Sequence, residues 1–237
     1  MIRVKTKYWR SIVAVMVVVV GLMMAGTTGC STAASSANAE VIPRDFNAFG
    51  NTYGEWSSRW WQWLLSIPAA TNPNLDPTGA NCGEGQAGPV WFLAGTFGGS
   101  FTRTCTVPSG KALFFPILNT AFGQGVGDCT GPSDCDVTAL RGLAAAAEDN
   151  PTTLMVSIDG HNVNDLSQFR VTSPVFNYFL PADNILGISS GTYGPLVSDG
   201  YWLLLKPLST GAHTIHFKGI SNSGFETEVT YNLTVGP

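Results

Sequence analysis

The sequence predicts a mainly β protein, a two-sheet β-sandwich of the jelly-roll or immunoglobulin-like type with a tryptophan-rich helix packed on one sheet. Three observations predict this fold. After residue 150 the chain alternates short apolar runs with turn residues, which is typical of successive strands. The 27 glycines and 14 prolines among 237 residues supply many turns. The segment from Thr52 to Ile67 has the strongest helix signal, and it is too apolar to be left uncovered.

The N-terminal segment predicts export. Four basic residues within the first ten precede an apolar run from Ile12 to Ala25, which is too short to span a bilayer and is typical of a secretory signal. Gly29-Cys30 resembles the site at which bacterial lipoproteins are cleaved, and residues 37–39 offer an alternative site for an ordinary signal peptidase. We expect lipidation at Cys30. The predicted organisation is a signal peptide (1–29), a tether (30–44) and a single domain (45–237).

Removal of the signal peptide makes the chain more acidic. The segment carries four of the twelve Lys and Arg residues and none of the sixteen Asp and Glu residues, so the net charge changes from −4 to −8. Phosphate backbones repel such a protein, which argues against nucleic acid as a partner. The only membrane contact that we expect is the lipid anchor.

The first element of the predicted domain is an amphipathic helix with a wide apolar face. Thr52 and Glu55 have the spacing of a capping box, and Pro68 ends the helix near residue 66 or 67. At about 100° per residue, the apolar side chains cover an arc of about 200°. The helix has one basic residue, unlike helices that lie on lipid, so we expect it to pack on protein. Its polar stripe contains Glu55, Ser58, Arg59, Gln62 and Ser66.

The cysteines predict two disulfides. Four cysteines remain in the predicted domain, and an even number in an oxidising compartment is typical of disulfide pairing. Proximity in the chain favours Cys82 with Cys105 and Cys129 with Cys135. A zinc site is the alternative, although the chain has no Cys-x-x-Cys pair. Cys82 lies in a long loop at residues 68–89, which a disulfide would hold in place.

The middle of the chain predicts three strands and a second, alanine-rich helix. We expect the first two strands to form a hairpin through the glycines of residues 97–100. The third strand follows a turn at residues 108–110. Asp136 is a suitable cap for the helix, which Pro151 terminates. These elements are predicted at Val90–Thr96, Phe101–Val107, Lys111–Leu118 and Val137–Glu148.

Beyond Pro151 the sequence predicts strands only. Asp159-Gly160 is a strong hairpin signal. The last strand alternates apolar and polar residues and therefore has one wet face, whereas residues 201–205 are apolar without alternation, which indicates cover on both faces. We expect the tryptophan helix to cover the second face. The strands are predicted at Thr153–Ile158, Val163–Val171, Val175–Leu180, Tyr201–Lys206, Thr214–Lys218 and Phe225–Val235.

The chain shows two resemblances to known proteins, one over its C-terminal strands and one over its whole length. Residues 201–235, with a turn marked by leucine and glycine before a strand and an alternating last strand, look like the closing strands of bacterial immunoglobulin-like sandwiches. The whole chain is similar to secreted bacterial proteins of unknown function that carry the segments WWQWLLSIP and GPVWFLAGTF. This resemblance implies export and family membership, and it implies no activity.

Two patterns that could indicate catalysis lie in an unsuitable context. Residues 187–191 match the G-x-S-x-G string of serine hydrolases, and Asp199 and His213 follow in hydrolase order. The turn after the string cannot start the required helix, so we expect a loop. His213 and His216 lie three apart on a predicted strand and should point to opposite faces. Two glutamates share the wet face of the last strand and should be solvated: Glu226 and Glu228.

A cluster of aspartates supplies a candidate metal site. Asp128, Asp134 and Asp136 lie in a short loop that Cys129 and Cys135 could close. Oxygen ligands on a constrained loop suit calcium, and Asp136 as a helix cap is the alternative role. No other cofactor is predicted.

The sequence favours an exported, lipid-anchored binding protein without catalysis, whose ligand is a glycan or another envelope protein. A disulfide-bonded, turn-rich scaffold without a convincing catalytic group supports this interpretation. The alternative is a secreted hydrolase or lyase with carboxylates from distant loops, for which Asp76, Glu84 and Asp159 are the candidates. These residues would have to meet in one cleft, with at least one raised pKa.

Overall fold

The computed structural model describes residues 37–126, 129 and 136–237. The predicted signal peptide and Cys30 lie outside the described residues. No helix among the described residues is long and apolar enough to cross a membrane. The helices are α1 (Ala37–Glu40), α2 (Tyr53–Leu65) and α3 (Val137–Glu148), with short 3-10 helices at Ala69–Thr71 and Leu166–Phe169. The strands are β1 (Val90–Phe92), β2 (Gly99–Pro108), β3 (Ala112–Gly123), β4 (Thr153–Ile158), β5 (His161–Asn162), β6 (Arg170–Thr172), β7 (Phe176–Leu180), β8 (Gly191–Leu205), β9 (Gly211–Ile220) and β10 (Glu226–Gly236).

The ten strands form two five-stranded sheets, which confirms the predicted β-sandwich. The central sheet has the order β1-β3-β8-β6, and β7 also pairs with β8. The outer sheet has the order β2-β10-β9-β4-β5. Phe115 of β3 stacks on Phe217 of β9 with ring centroids 5.0 Å apart, so the two sheets share an apolar core.

Helix α2 packs on the central sheet, as predicted. Trp60 is 1% exposed, and its ring lies 5.3 Å from that of Trp202 in β8. Trp202 in turn stacks on Phe114 of β3 at 5.2 Å. The Trp60 indole nitrogen donates a hydrogen bond to the carbonyl oxygen of Leu93 at 2.9 Å. The central sheet is therefore covered by α2 on one face and by the outer sheet on the other, which explains its non-alternating strands.

The helix begins where the capping box predicts. The Thr52 amide donates to Glu55 Oε2 at 2.7 Å, and the Glu55 amide donates to Thr52 Oγ1 at 3.3 Å. The prediction for Ser58 is wrong, because this residue of the polar stripe is only 8% exposed. Its hydroxyl donates to the carbonyl oxygen of Glu55 at 2.8 Å, so the helix itself satisfies the buried serine.

The folded domain begins earlier than predicted. The Ile42 amide donates to the carbonyl oxygen of Leu204 at 2.8 Å, and the Lys206 amide donates to that of Glu40 at 2.8 Å. Val41 is 7% exposed. Residues 37–42 therefore extend the edge of the domain and do not belong to the predicted tether.

The predicted hairpin between the first two strands is wrong. β1 pairs in parallel with β3 in the central sheet, and β2 pairs in parallel with β10 in the outer sheet. The connection thus crosses from one sheet to the other. Gly98 and Gly99, with φ of 119° and 84°, allow the turn. Glycines mark a reversal of the chain, but they do not determine which sheet the next strand joins.

Two later predictions also need correction. The predicted strand at residues 163–171 is interrupted by a 3-10 helix, which follows Asp165 in the left-handed region at φ 57°. β8 begins at Gly191, ten residues before its predicted start, because its early part is defined by pairing with β3 and β7. The Asp159-Gly160 hairpin is confirmed, since β4 and β5 pair around it with φ of 50° and 79° at these residues.

The Cys82–Cys105 disulfide is confirmed, with Cα atoms 5.9 Å apart. It holds the loop of residues 68–89 against β2, where the Thr104 amide donates to the carbonyl oxygen of Thr78 at 2.8 Å. The loop therefore covers the open edge of β2. Cys129 is also disulfide-bonded, but its predicted partner Cys135 lies outside the described residues.

Replacing both Cys82 and Cys105 with alanine should lower the free energy of unfolding by about 3 kcal/mol, because the bridge closes a loop with a sequence separation of 23 residues. Urea unfolding under oxidising conditions measures the loss. Thr106→Ala, an exposed change on the same strand, is the control and should stay within about 0.5 kcal/mol of wild type. A double variant as stable as this control would contradict the prediction.

Candidate functional site

A cavity of about 280 Å³ lies where the two sheets, α2 and the end of α3 meet. We call it the Glu148 cavity. β3 contributes polar and small side chains, α3 contributes its last turn, and the turn between β9 and β10 contributes hydroxyl groups. Its lining consists of Trp61, Phe97, Asn119, Thr120, Ala121, Val126, Ala147, Glu148, Ser221, Ser223 and Phe225.

Glu148 is the titratable group of this lining. It is the last residue of α3 and is 3% exposed. Burial, together with the negative charge of Asp199, raises its pKa to about 8, and Arg170 offsets only part of this effect. A helix C-terminus also disfavours a carboxylate. At neutral pH the Glu148 carboxyl is therefore mostly protonated, so it can donate as well as accept a hydrogen bond.

The cation beside Glu148 is already engaged by other groups. Arg170 Nε donates to Asp199 Oδ1 at 2.7 Å, and Arg170 Nη1 donates to Asp149 Oδ1 at 2.6 Å. Thr172 Oγ1 donates to the second oxygen of Asp199 at 2.7 Å. This network engages both carboxylate oxygens of Asp199 as hydrogen-bond acceptors and leaves Glu148 without an ion pair among the described residues.

Three residues of the cavity each hold a buried polar atom without a hydrogen-bond partner among the described residues: Glu148 Oε2, Asn119 Nδ2 and Trp61 Nε1. They account for half of the six such atoms found there. Buried polar atoms are normally paired, and an unpaired one costs about 1–3 kcal/mol. Their concentration around one small cavity indicates a place where a polar ligand or water completes the hydrogen bonding.

The position of Asn119 depends on a close approach of two strands. β3 and β8 pair at Asn119 and Gly200. A Cβ atom at Gly200 would lie 2.6 Å from the carbonyl oxygen of Leu118, which is too short for a non-bonded contact between carbon and oxygen. Only glycine therefore allows the backbone geometry that places Asn119 beside the cavity.

Two exposed aromatic residues border the cavity. Phe97 is 52% exposed and Phe225 is 41% exposed. Together with Trp61 they give the cavity apolar faces beside its polar groups. Apolar surfaces with a few well-placed polar atoms are typical of small-molecule sites.

The carboxylates predicted for a hydrolase do not meet in this cavity. Asp76 is 8% exposed and accepts hydrogen bonds from the amides of Thr78 and Asn81, at 2.8 Å each, so it shapes its own loop. Glu84 is exposed, and Asp159 lies in the β4–β5 turn. No group of three or more His, Cys, Asp or Glu side chains suited to a metal occurs in the part of the chain that the structure describes.

The first four residues of the G-x-S-x-G string form an irregular segment, and Gly191 begins β8, so the string starts no helix, as expected. Asp199, the acid suggested by sequence order, forms an ion pair with Arg170 and does not orient a histidine. His213 binds Asp159 instead, with Nδ1 and Oδ2 2.7 Å apart.

His213 also approaches a serine, which creates an arrangement similar to a catalytic triad. Its Nε2 lies 3.2 Å from Ser209 Oγ, but only 2.9 Å from the carbonyl oxygen of Ser209. A carbonyl oxygen can only accept, so Nε2 carries a proton. Burial lowers the pKa of His213, but the hydrogen bonds to Asp159 and to the Ser209 carbonyl outweigh it and raise that pKa. A catalytic triad needs an unprotonated Nε2 that accepts the serine proton, and the hydrogen bond to the Ser209 carbonyl does not fit that role.

The other predicted polar residues have structural partners. His216 Nε2 lies 2.9 Å from Glu228 Oε1 on the wet face of the outer sheet, so the two histidines of β9 do not converge, as predicted. Glu226 and Glu228 lie on that face, as predicted, and both form ion pairs with Lys218.

The calcium hypothesis remains a prediction. Asp136 caps α3 by accepting a hydrogen bond from the Thr138 amide at 2.9 Å. Asp128 and Asp134 lie outside the described residues. The structure therefore supports the alternative role of Asp136 and does not test the metal site.

Sequence reasoning missed Glu148, Asn119, Phe97 and Phe225 as site residues. A signal for Glu148 was present: Leu140, Ala144 and Glu148 recur every four residues, and all three are buried on one face of α3. A glutamate on the apolar face of a helix indicates a buried carboxyl group. No local pattern marked the other three, because distant parts of the chain bring them together.

Comparison with protein-family models, curated proteins and solved structures found no match for this chain. The resemblance to secreted bacterial proteins and to immunoglobulin-like sandwiches therefore remains a prediction.

Proposed function

We propose that this protein is an exported, non-catalytic binding protein that holds a small sugar in the Glu148 cavity. The observation that carries the proposal is the concentration of three unpaired buried polar atoms and three aromatic side chains around one cavity. Sugar hydroxyl groups both donate and accept hydrogen bonds, and the carbon–hydrogen faces of a sugar ring suit aromatic surfaces. The cavity offers partners for both.

The size of the cavity supports a ligand of one sugar residue. Its volume of about 280 Å³ is just below the range for drug-sized ligands, which is about 300–1,000 Å³. Phe97 and Phe225 at its border would contact this sugar and any further residues of a longer glycan. A terminal sugar inserted into the cavity fits this arrangement.

The polar network supports binding over hydrolysis. A glycosidase needs two carboxyl groups that flank the scissile bond. Glu148 has a raised pKa suited to an acid, but its electrostatic neighbour Asp199 is 3% exposed and is held by Arg170 and Thr172. Asp199 is therefore not free to act as a nucleophile or base.

Export is supported by the disulfide, because such bonds persist in oxidising compartments. A lipid anchor at Cys30 would hold the protein at the cell envelope, where glycans and other envelope proteins are available. Anchoring and the envelope location are parts of the proposal.

Replacing both Phe97 and Phe225 with alanine should weaken sugar binding about 5- to 150-fold, because two aromatic contacts of about 0.5–1.5 kcal/mol each are lost. The melting temperature should change much less than on truncation of a fully buried ring, since about half of each side chain is already exposed. Calorimetric titration with a panel of mono- and disaccharides measures the affinity. Phe179→Ala, which removes a ring that is 52% exposed on β7, is the matched control and should bind as wild type does. A wild-type protein that binds no sugar of the panel, or a double variant with full affinity, would overturn the proposal.

A further inference from the structure

We propose that Glu148 makes the cavity selective for an uncharged ligand: its protonated carboxyl donates a hydrogen bond to a ligand oxygen, and its ionisation releases the ligand. This inference rests on the proposed function and adds the charge of the ligand and the control of its release. It stands on the geometry of the cavity and on the charges around Glu148.

The charged groups around Glu148 leave no cation for an ionised carboxylate. Asp149 follows it in the chain, Asp199 and Tyr201 come from β8, and Arg170 comes from β6. The Arg170 guanidinium is shared between Asp199, Asp149 and the carbonyl oxygen of Ala145. Ionised Glu148 would therefore be a third carboxylate beside a single guanidinium.

The other elements at the cavity offer neutral groups only. Trp61 comes from α2, Asn119 and Thr120 come from β3, and Ser221 and Ser223 come from the β9–β10 turn. Neutral donors stabilise a carboxylate less than an ion pair does, and a buried carboxylate without an ion pair needs water. An ionised Glu148 would draw water into the space that the ligand occupies.

The protonation state determines which ligand atoms the cavity accepts. A protonated carboxyl has one donor and an acceptor, so it can bond to a hydroxyl group in both directions, whereas a carboxylate only accepts. An anionic ligand would be repelled by Asp149 and Asp199. A cationic ligand would ionise Glu148 and bind more tightly as the pH rises. Uncharged polyols are therefore the class of ligand that a protonated Glu148 binds.

The test measures the dissociation constant of the sugar that binds best at pH 6, between pH 6 and pH 9.5, with intrinsic tryptophan fluorescence to verify folding. Only protein with a protonated Glu148 binds the ligand, and the pKa of this carboxyl is about 8. The affinity should therefore fall about 30-fold between pH 6 and pH 9.5. Titration in two buffers of different ionisation enthalpy at pH 9 should show uptake of about one proton per ligand. Glu148→Gln should bind with an affinity that does not vary with pH, and Glu84→Gln, an exposed control, should keep the wild-type profile.

The outcomes separate the two proposals. Binding that is equally tight at pH 6 and pH 9.5 would overturn this inference and leave the proposed function intact. Tighter binding of a sugar that carries a quaternary ammonium group, which stays charged at every pH, at pH 9.5 than at pH 6 would overturn the selectivity for uncharged ligands. Absence of sugar binding at every pH would overturn the proposed function, and this inference with it.

Discussion

Trp60→Ala should lower the free energy of unfolding by about 3–5 kcal/mol, the usual cost of truncating a buried tryptophan. The ring is 1% exposed and contacts Trp61, Trp63 and Trp202 at centroid distances of 5.3, 5.9 and 5.3 Å. Its loss would also leave the Leu93 carbonyl oxygen without its indole donor. The melting temperature should fall by roughly 10 °C in a domain of this size.

Thermal and urea unfolding measure this effect, and Gln62→Ala on the exposed side of α2 is the control. Gln62 Nε2 donates to the carbonyl oxygen of Asn177 at 2.8 Å, so we expect a loss of about 0.5–1.5 kcal/mol. The opposite result would be a Trp60→Ala protein that melts at the wild-type temperature and has lost ligand or membrane binding. That result would show that the tryptophan helix is a binding platform and not part of the core.

Glu148→Gln should change how stability depends on pH. The pKa of Glu148 is raised from its usual 4.5 to about 8 in the folded protein, so between these values the folded state binds more protons than the unfolded state. The stability that protonated Glu148 contributes is therefore fully present below about pH 4.5 and is lost progressively as the pH rises to about 8. At 1.36 kcal/mol per pKa unit, the loss from this residue is on the order of 5 kcal/mol.

Because glutamine does not titrate, the stability difference between Glu148→Gln and wild type should grow in favour of the variant across this range. Urea unfolding at pH 4.5, 6, 7 and 8.5 measures the difference, and the subtraction cancels the other titrating groups. Glu84→Gln, at an exposed position, should show no such trend. A difference that stays constant with pH would mean that Glu148 is ionised in the folded protein, and the argument for a protonated ligand site would fail.

Elements defined by short-range chemistry were predictable from the sequence. The capping box of Thr52 and Glu55 and the stop at Pro68 need only the residues within one helical turn. The Asp159-Gly160 hairpin needs two adjacent residues that tolerate positive φ. The Cys82–Cys105 bridge was inferred from the even number of cysteines and from their proximity in the chain.

Elements defined by long-range pairing were not predictable in the same way. β1 and β2 have the local signature of a hairpin, but their partners β3 and β10 place them in different sheets. The early part of β8 contains glycine and proline, and it becomes a strand because β3 and β7 lie beside it. The residues of a short segment determine its own backbone preferences, but they do not determine which strands will lie beside it in the sheet.

The sequence by itself determined that this chain forms a β-sandwich with a buried tryptophan helix and a disulfide-bonded loop, because apolar periodicity, caps and cysteine number act locally or through simple counting. Only the tertiary structure decided that Glu148, Asn119, Trp61 and Phe225 surround one cavity. These residues are spread along the chain from residue 61 to residue 225. The polar atoms of Glu148, Asn119 and Trp61 lack partners only because folding removes them from water. The raised pKa of Glu148 has the same origin, since it arises from desolvation and from the charge of Asp199, neither of which exists until the chain has folded.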